Sequence, residues 1–262
     1  MKTLLLSRNE IHTGSLILVN AEAGYRPDPQ SHLVPVLEHY PSVCLQRRAA
    51  VLLSSLMDSF QGWRHIVPVS GWRAQAEQQQ IWDDSIRDNG LAFTQKYVAL
   101  PGHSEHQTGL AIDLGQKQAH IDFIRPEFPY SGLCQTFRRK AADYGFIERY
   151  PAGKEHITGI AHEPWHFRYV GVPHAKIMEQ NHLVLEEYLA FIKQYRHGQA
   201  AYHILCGGQE VLVSYLQADL STPTCLEIDG AAPYSISGNN TDGFILTEWR
   251  QTHARKTELR GA

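Results

Sequence analysis

The string HEPWH at residues 162–166 places two histidines four apart with a glutamate beside the first. This is the H-E-x-x-H pattern by which metalloproteases bind zinc, and it depends on a helix. Residues i and i+4 share one helical face, so both imidazoles reach one ion and the glutamate is held next to it. In this chain Pro164 stands third of the five. Inside a helix, proline lacks the N–H of the i→i−4 bond and clashes with the preceding turn, at a cost of about 3 kcal/mol. Thr158 and Gly159 break any run upstream, and the downstream WHFRYV is aromatic and β-branched with strand-like alternation. The spacing therefore predicts a turn and a strand. Glu163 and His166 survive as a smaller unit, His162 falls outside it, and the unit needs partners from elsewhere.

Residues 104–113, SEHQTGLAID, supply them. In a strand over residues 110–114, Leu110, Ile112 and Leu114 face a core while Gly109, Ala111 and Asp113 face the other way. That second face carries two minimal side chains and then one carboxylate. Gly109 permits a turn that folds His106 back toward Asp113. His106, Asp113 and His166 then form a two-histidine, one-carboxylate set, the three protein ligands of a catalytic zinc, at distances of about 2.0–2.2 Å. Glu163, three residues before one ligand, is placed to act as general base on an activated water. Hydrogen-bonded structural histidines and a loop-capping Asp113 account for the same residues. On spacing alone both readings stand.

The elements that must position these groups follow from periodicity. Residues 46–61 carry apolar positions at helical spacing. A strand is expected over 65–70, then a turn at Gly71, then a polar helix over 74–89 stopped by Gly90. Residues 116–132 read as a loop, 133–144 as a helix ending at Gly145, and 173–195 as one long helix with Leu183, Leu185, Tyr188, Leu189 and Ile192 on its apolar face. Residues 1–45 look irregular, with one strand expected over 15–20. From about 198 the texture changes to short strands and Gly/Asn turns. We expect an α+β fold, an antiparallel sheet flanked by helices with a zinc cleft over the sheet. Residues 1–197 form the chemical domain and 198–262 a small β-rich appendage.

At 262 residues, 43% hydrophobic and 19% charged, the chain can bury a sizeable core, and a net charge of −3 carries no nucleic-acid signature. The four cysteines lack a C-x-x-C pair and suit a reducing compartment. Residues 1–14 lack the apolar stretch and cleavage site of a signal peptide, and no run of about 18 apolar residues spans a membrane. The expectation is a cytoplasmic protein without a membrane partner. The sequence leaves the oligomeric state open.

S-x-H-x-x-G-x-A-x-D at Ser104, His106, Gly109, Ala111 and Asp113, followed by E-P-W-H at 163–166, resembles the D-Ala-D-Ala metallopeptidase family. The strings PGHSEHQTGLAIDLG and EPWHFRYVGVPHA resemble its VanY carboxypeptidases, and the missing anchor points to the VanXY type. The similarity covers roughly residues 12–195. It implies Zn²⁺ on His106, Asp113 and His166, with Glu163 as the base. It also implies that Arg73, in the string Ser70-Gly71-Trp72-Arg73, polarises the scissile carbonyl and holds the oxyanion. Ser104 and Gln78 become expected substrate contacts. Tyr97, in an expected loop over 96–99, lines the pocket, and Trp165 walls it. The implied substrates are small peptides: D-Ala-D-Ala and muramyl pentapeptide precursors. One departure stands out. The stretch GQKQAHIDFIRPEFPYSG after Leu114 lacks the acidic segment by which strict dipeptidases hold a free amine.

The rival readings are an endolysin-like L-Ala-D-Glu peptidase with a wall-binding tail, a hedgehog-like zinc domain that binds without hydrolysis, and a metal-free globular protein. Glu163 and Arg73 together favour the enzyme over the binding module, which needs neither.

Overall fold

The computed structural model describes residues 2–28, 31–219 and 221–250. In chain order these form β1 (Lys2–Leu6), β2 (Leu33–Pro35), β3 (Cys44–Gln46), α1 (Arg47–Asp58), β4 (Ile66–Ser70), α2 (Gln75–Asn89), α3 (Leu91–Tyr97) and β5 (Ala111–Gln116). They continue with α4 (Gly132–Ala141), β6 (Phe146–Tyr150), α5 (Glu155–Thr158), β7 (Glu163–Tyr169), α6 (Val172–Asn181) and α7 (Leu185–Ile192). Five strands follow: β8 (Tyr202–Cys206), β9 (Gln209–Gln217), β10 (Thr224–Ile228), β11 (Tyr234–Gly238) and β12 (Gly243–Arg250). Position 220 and residues 251–262 of the expected appendage lie outside the described residues.

The central sheet is antiparallel in the order β4-β5-β7-β6. The alternation read in β5 is realised. Leu110, Ile112 and Leu114 join Trp165, Phe167 and Tyr169 of β7 in one core with Leu53, Leu56 and Met57 of α1 and Phe137 of α4. Burying each such aliphatic side chain stabilises by about 1.5–3 kcal/mol. The opposite face is set by register. Asp113 lies across from His166 and Ala111 from Arg168, so these four side chains share it.

Four expectations need correction. Residues 1–45 are not irregular throughout, since they hold β1 and β2, each paired with a later strand. Residues 15–20 form no strand, although Leu16, Ile17 and Val19 are buried. Their backbone is satisfied irregularly: Leu16 N–H donates to Ser237 Oγ, Leu18 N–H to the Asn239 carbonyl, and the Ser15 and Ile17 carbonyls accept from Arg168. The expected 173–195 helix breaks at His182, which turns left-handed at φ 53° and separates α6 from α7. Lys96 and Tyr97 are the last turn of α3, not a loop.

The C-terminal strands form a sheet in the order β11-β12-β9-β8. The expected boundary near residue 197 falls between α7 and β8, and two features cross it. β1 pairs with β10, Lys2 opposite Ile228. Leu185, Tyr188, Leu189 and Ile192 of α7 share a core with Val211 and Val213 of β9 and Ile245 of β12.

Candidate active site

His106 comes from a buried 3-10 turn, Glu105–Thr108, which Gly109 closes at φ +69°. A Cβ at Gly109 would stand 2.6 Å from Leu33 Cδ2, so both conformation and space call for glycine. The Ser70-Gly71-Trp72-Arg73 string wraps this turn: the Gly71 carbonyl accepts from His106 Nδ1 at 2.7 Å, and Arg73 N–H donates to the His106 carbonyl. Gly71 is needed for close approach, since a Cβ there would lie 2.4 Å from the Cys44 carbonyl oxygen.

Glu163 and His166 are three apart, and in a regular strand they would point to opposite faces. The β6–β7 register shifts between them: Glu148 faces Phe167, whereas Tyr150 faces Glu163. The extra residues in β7 are a bulge, and Pro164, which has no N–H to give a ladder, stands within it. Both Glu163 and His166 thereby line one cleft.

His106, Asp113 and His166 offer ligand atoms that all lie within 4.8 Å of one another. His166 Nδ1 is 2.9 Å from Asp113 Oδ1, and His106 Nε2 is 3.1 Å from Asp113 Oδ2. Neighbouring ligands of a tetrahedral zinc at about 2.1 Å lie about 3.4 Å apart, so the set is near the spacing such an ion asks for. The Gly71 carbonyl can only accept, which puts the His106 proton on Nδ1 and turns Nε2 toward the set. A carbonyl on the far nitrogen is how metal-binding histidines are ordinarily held.

The charges point the same way. Burial opposes ionisation of Asp113, but His106 and His166 outweigh it and hold its carboxyl well below the usual range. Burial would push His166 down, yet the hydrogen bond to Asp113 and the nearby Glu105 and Glu163 carboxylates carry it up to about 9. Burial, with the Asp113 and Glu105 charges, pushes Glu163 up to about 8 against the pull of His166 and Arg73. Three carboxylates thus favour positive charge at one point, a field that a divalent cation answers.

The cleft measures about 500 Å³, counting its solvent-open part, and is lined by Arg73, Gln78, Tyr97, Ser104, Trp165, His106, Asp113 and His166, among others. Arg73 is 7% exposed. It donates through Nη1 to Gln78 Oε1 and through Nη2 to Ser70 Oγ, both at 2.8 Å, and its Nε–H has no partner. Gln78 spends the other end of its amide on the Ala99 carbonyl, so both ends are engaged within the protein. Ser104 and Tyr97 stand in the cleft wall. Trp165 both walls the cleft and fills the core below. His162 lies apart: its Nε2 is 2.7 Å from the Tyr130 hydroxyl.

Sequence reasoning missed Phe123, Ile124, Tyr150 and Glu105, which also line the cleft. The one available signal for Glu105 was Arg168. Two residues after His166 on the same strand face, it is a buried cation that demands a carboxylate.

The family described as VanY, D-alanyl-D-alanine carboxypeptidase, matches residues 43–172. The bifunctional D-Ala-D-Ala dipeptidase and D-Ala-D-Ala carboxypeptidase VanXYC of Enterococcus gallinarum is 44% identical over 167 residues, 63% of this chain and 87% of that protein. The crystal structure of the vancomycin-resistance D,D-dipeptidase VanXYg in complex with a D-Ala-D-Ala phosphinate analog matches with a TM-score of 0.92 at 49% identity, covering 95% of this chain and 99% of that one. The likeness therefore runs beyond the 12–195 read from motifs and takes in the C-terminal sheet. A mutant of the vancomycin-resistance D,D-pentapeptidase VanY, in complex with Zn(II), matches with a TM-score of 0.55 at 32% identity over 67% of this chain and 98% of that one.

Proposed function

The chain belongs to the VanY D-alanyl-D-alanine carboxypeptidase family, and from that premise we propose that it is a zinc-dependent D,D-dipeptidase and D,D-carboxypeptidase of the vancomycin-resistance type. Its substrates are the D-Ala-D-Ala dipeptide and peptidoglycan precursors ending in D-Ala-D-Ala, and it works in the cytoplasm. The observation that carries this reading is the convergence of His106, Asp113, His166, Glu163 and Arg73 on one cleft.

His106, Asp113 and His166 would hold the ion. When bound, zinc supplies Lewis acidity, lowering the pKa of water toward about 7 and polarising the carbonyl. Glu163 takes the proton from the attacking water and delivers it to the departing amine nitrogen. His166 and Arg73 draw its carboxyl toward the ionised form a base requires. Arg73 carries a fixed charge and an uncommitted Nε–H, and it stabilises the developing oxyanion. Gln78 aims that guanidinium, while Ser104 and Tyr97 contact the substrate.

The substrate range follows from what lines the cleft. Beyond Asp113, Glu163 and Glu105, its lining residues carry no carboxylate, and the 116–132 loop contributes Phe123 and Ile124. Among the described residues no lining group is dedicated to a free amine, so an acylated amine leaves no buried charge unpaired. The test measures amino acid released from D-Ala-D-Ala, from an acylated D-Ala-D-Ala peptide and from D-Ala-D-Ser. Release is expected from the first two. Equal release from D-Ala-D-Ser removes the resistance role, and none from the acylated peptide makes the enzyme a strict dipeptidase.

A further inference from the structure

Glu105 stands between Ser104 and His106 in the wall of the cleft. Its side chain is wholly buried. Oε1 accepts from Arg149 Nε and from Arg168 Nη1, each at 2.8 Å. Oε2 is buried with no hydrogen-bond partner and lies 3.5 Å from His166 Nε2, which is equally buried and equally without one. Both arginines are fully buried and anchored elsewhere. Arg149 makes a two-pronged pair with Glu186 at 2.8 and 2.6 Å, and Arg168 donates to the Ser15 and Ile17 carbonyls.

Stripping water from three charges is expensive, and apolar packing of the same volume is commonly at least as stable. The cluster therefore calls for a use. Its one unspent atom faces the far nitrogen of a candidate metal ligand. The other histidine of the set has its far nitrogen held by the Gly71 carbonyl. With a cation on Nδ1 of His166, the ring's remaining proton sits on Nε2, and Glu105 Oε2 is the acceptor that faces it.

We propose that Glu105 is a positioning residue. Its carboxylate, clamped by Arg149 and Arg168, accepts the Nε2–H of His166, fixes that tautomer, and turns the Nδ1 lone pair toward Asp113 and the metal. This inference rests on the zinc reading above. Carboxylate partners of this kind typically contribute 10–100-fold to metal affinity or activity.

The test uses the zinc-loaded enzyme. Chelator competition on E105Q should show zinc affinity falling by about 10–100-fold. E186Q cuts the other end of the Arg149 pair without touching His166. It should lower the melting temperature and leave zinc affinity at the wild-type level, which separates positioning from general support. Wild-type protein with ¹⁵N-labelled histidine gives a readout that does not depend on E105Q folding. His166 should carry its proton on Nε2, slow to exchange and shifted downfield. Zinc affinity unchanged in folded E105Q, loss of affinity to the same degree in E186Q, or a proton on Nδ1 with the metal on Nε2 overturns the assignment of Glu105 alone. Wild-type protein that binds no zinc overturns the metal reading and this one with it.

Discussion

His166 and His174 stand eight residues apart on adjoining elements and both are buried, yet they end on opposite sides of the ordinary imidazole range. Burial opposes the charged form of each. At His166 three carboxylates outweigh it and the ring is pushed up to about 9. At His174 burial, helped by the charge of Arg48, pushes the ring down to about 3. Its partners are hydroxyls, Tyr188 Oη at 2.6 Å on Nδ1 and Thr247 Oγ1 at 3.1 Å on Nε2. Hydroxyls can donate or accept and so satisfy a neutral ring without inviting a charge. One histidine stands in a field built for a cation. The other is a neutral rivet between α6 and β12. Burial does not tell a proposed ligand from a strut; the charge on its partners separates these two rings.

The sharpest way to break this contrast is to remove each ring. His166→Ala should lose zinc and lower turnover by about 10³-fold or more, since metal catalysis supplies several kcal/mol. His174→Asn should keep one zinc per chain while lowering the melting temperature. Elemental analysis and thermal denaturation of both variants check the pair, and loss of zinc from His174→Asn would erase the distinction.

A finer cut separates holding the metal from using it. Glu163→Ala should retain zinc and lose about 10²–10⁴-fold in kcat, the usual contribution of a general base. Arg73→Ala should lower kcat more than it raises KM, as expected of a contact made mainly with the developing oxyanion. Near-normal turnover in Glu163→Ala would place the base elsewhere.

The two rings also differ in their pH signature. His174 titrates near 6.5 unfolded and near 3 folded, so between those values the unfolded state binds the extra proton. Its contribution is intact above about 6.5 and is lost as pH falls toward 3, by up to about 1.4 kcal/mol per unit. His166 and Glu163, with raised folded values, slope the other way and lose their contribution as pH rises toward about 9 and about 8. The measurable quantity is therefore the difference between wild type and His174→Asn in urea unfolding at stepped pH. It should shrink on going from pH 7 to pH 5. A difference that stays constant would show that His174 is not held neutral.

The smallest effect is expected at the histidine that completes the misleading H-E-x-x-H. His162→Ala should leave zinc content and kcat/KM at wild-type values, checked by the same metal analysis and assay.

These residues also mark how far the sequence could be read. Pro164 alone was enough to reject a helical zinc motif, because its missing N–H acts locally. The alternation in β5 put Asp113 on the site face because strand period is a local property too. Glu105 escaped because its meaning depends on Arg149 and Arg168, which reach it only through the sheet. Residues 15–20 misled for the converse reason: a buried apolar run reads as a strand, but among the described residues its backbone joins no ladder and bonds irregularly to Ser237, Asn239 and Arg168 instead. The break at His182 was hidden by apolar spacing that continues on both sides of it.

The pairing of β1 with β10 has a consequence in time. About 226 residues separate Lys2 from Ile228. Translation at about 5–20 residues per second leaves β1 without its partner for about 10–45 s after it leaves the ribosome. For that interval KTLLL is an open strand edge, a template for the wrong neighbour. Its burial pattern is mostly exposed even in the finished protein, and Leu5 is 70% exposed. The nascent chain is thus at risk of self-association at β1 until β10 arrives.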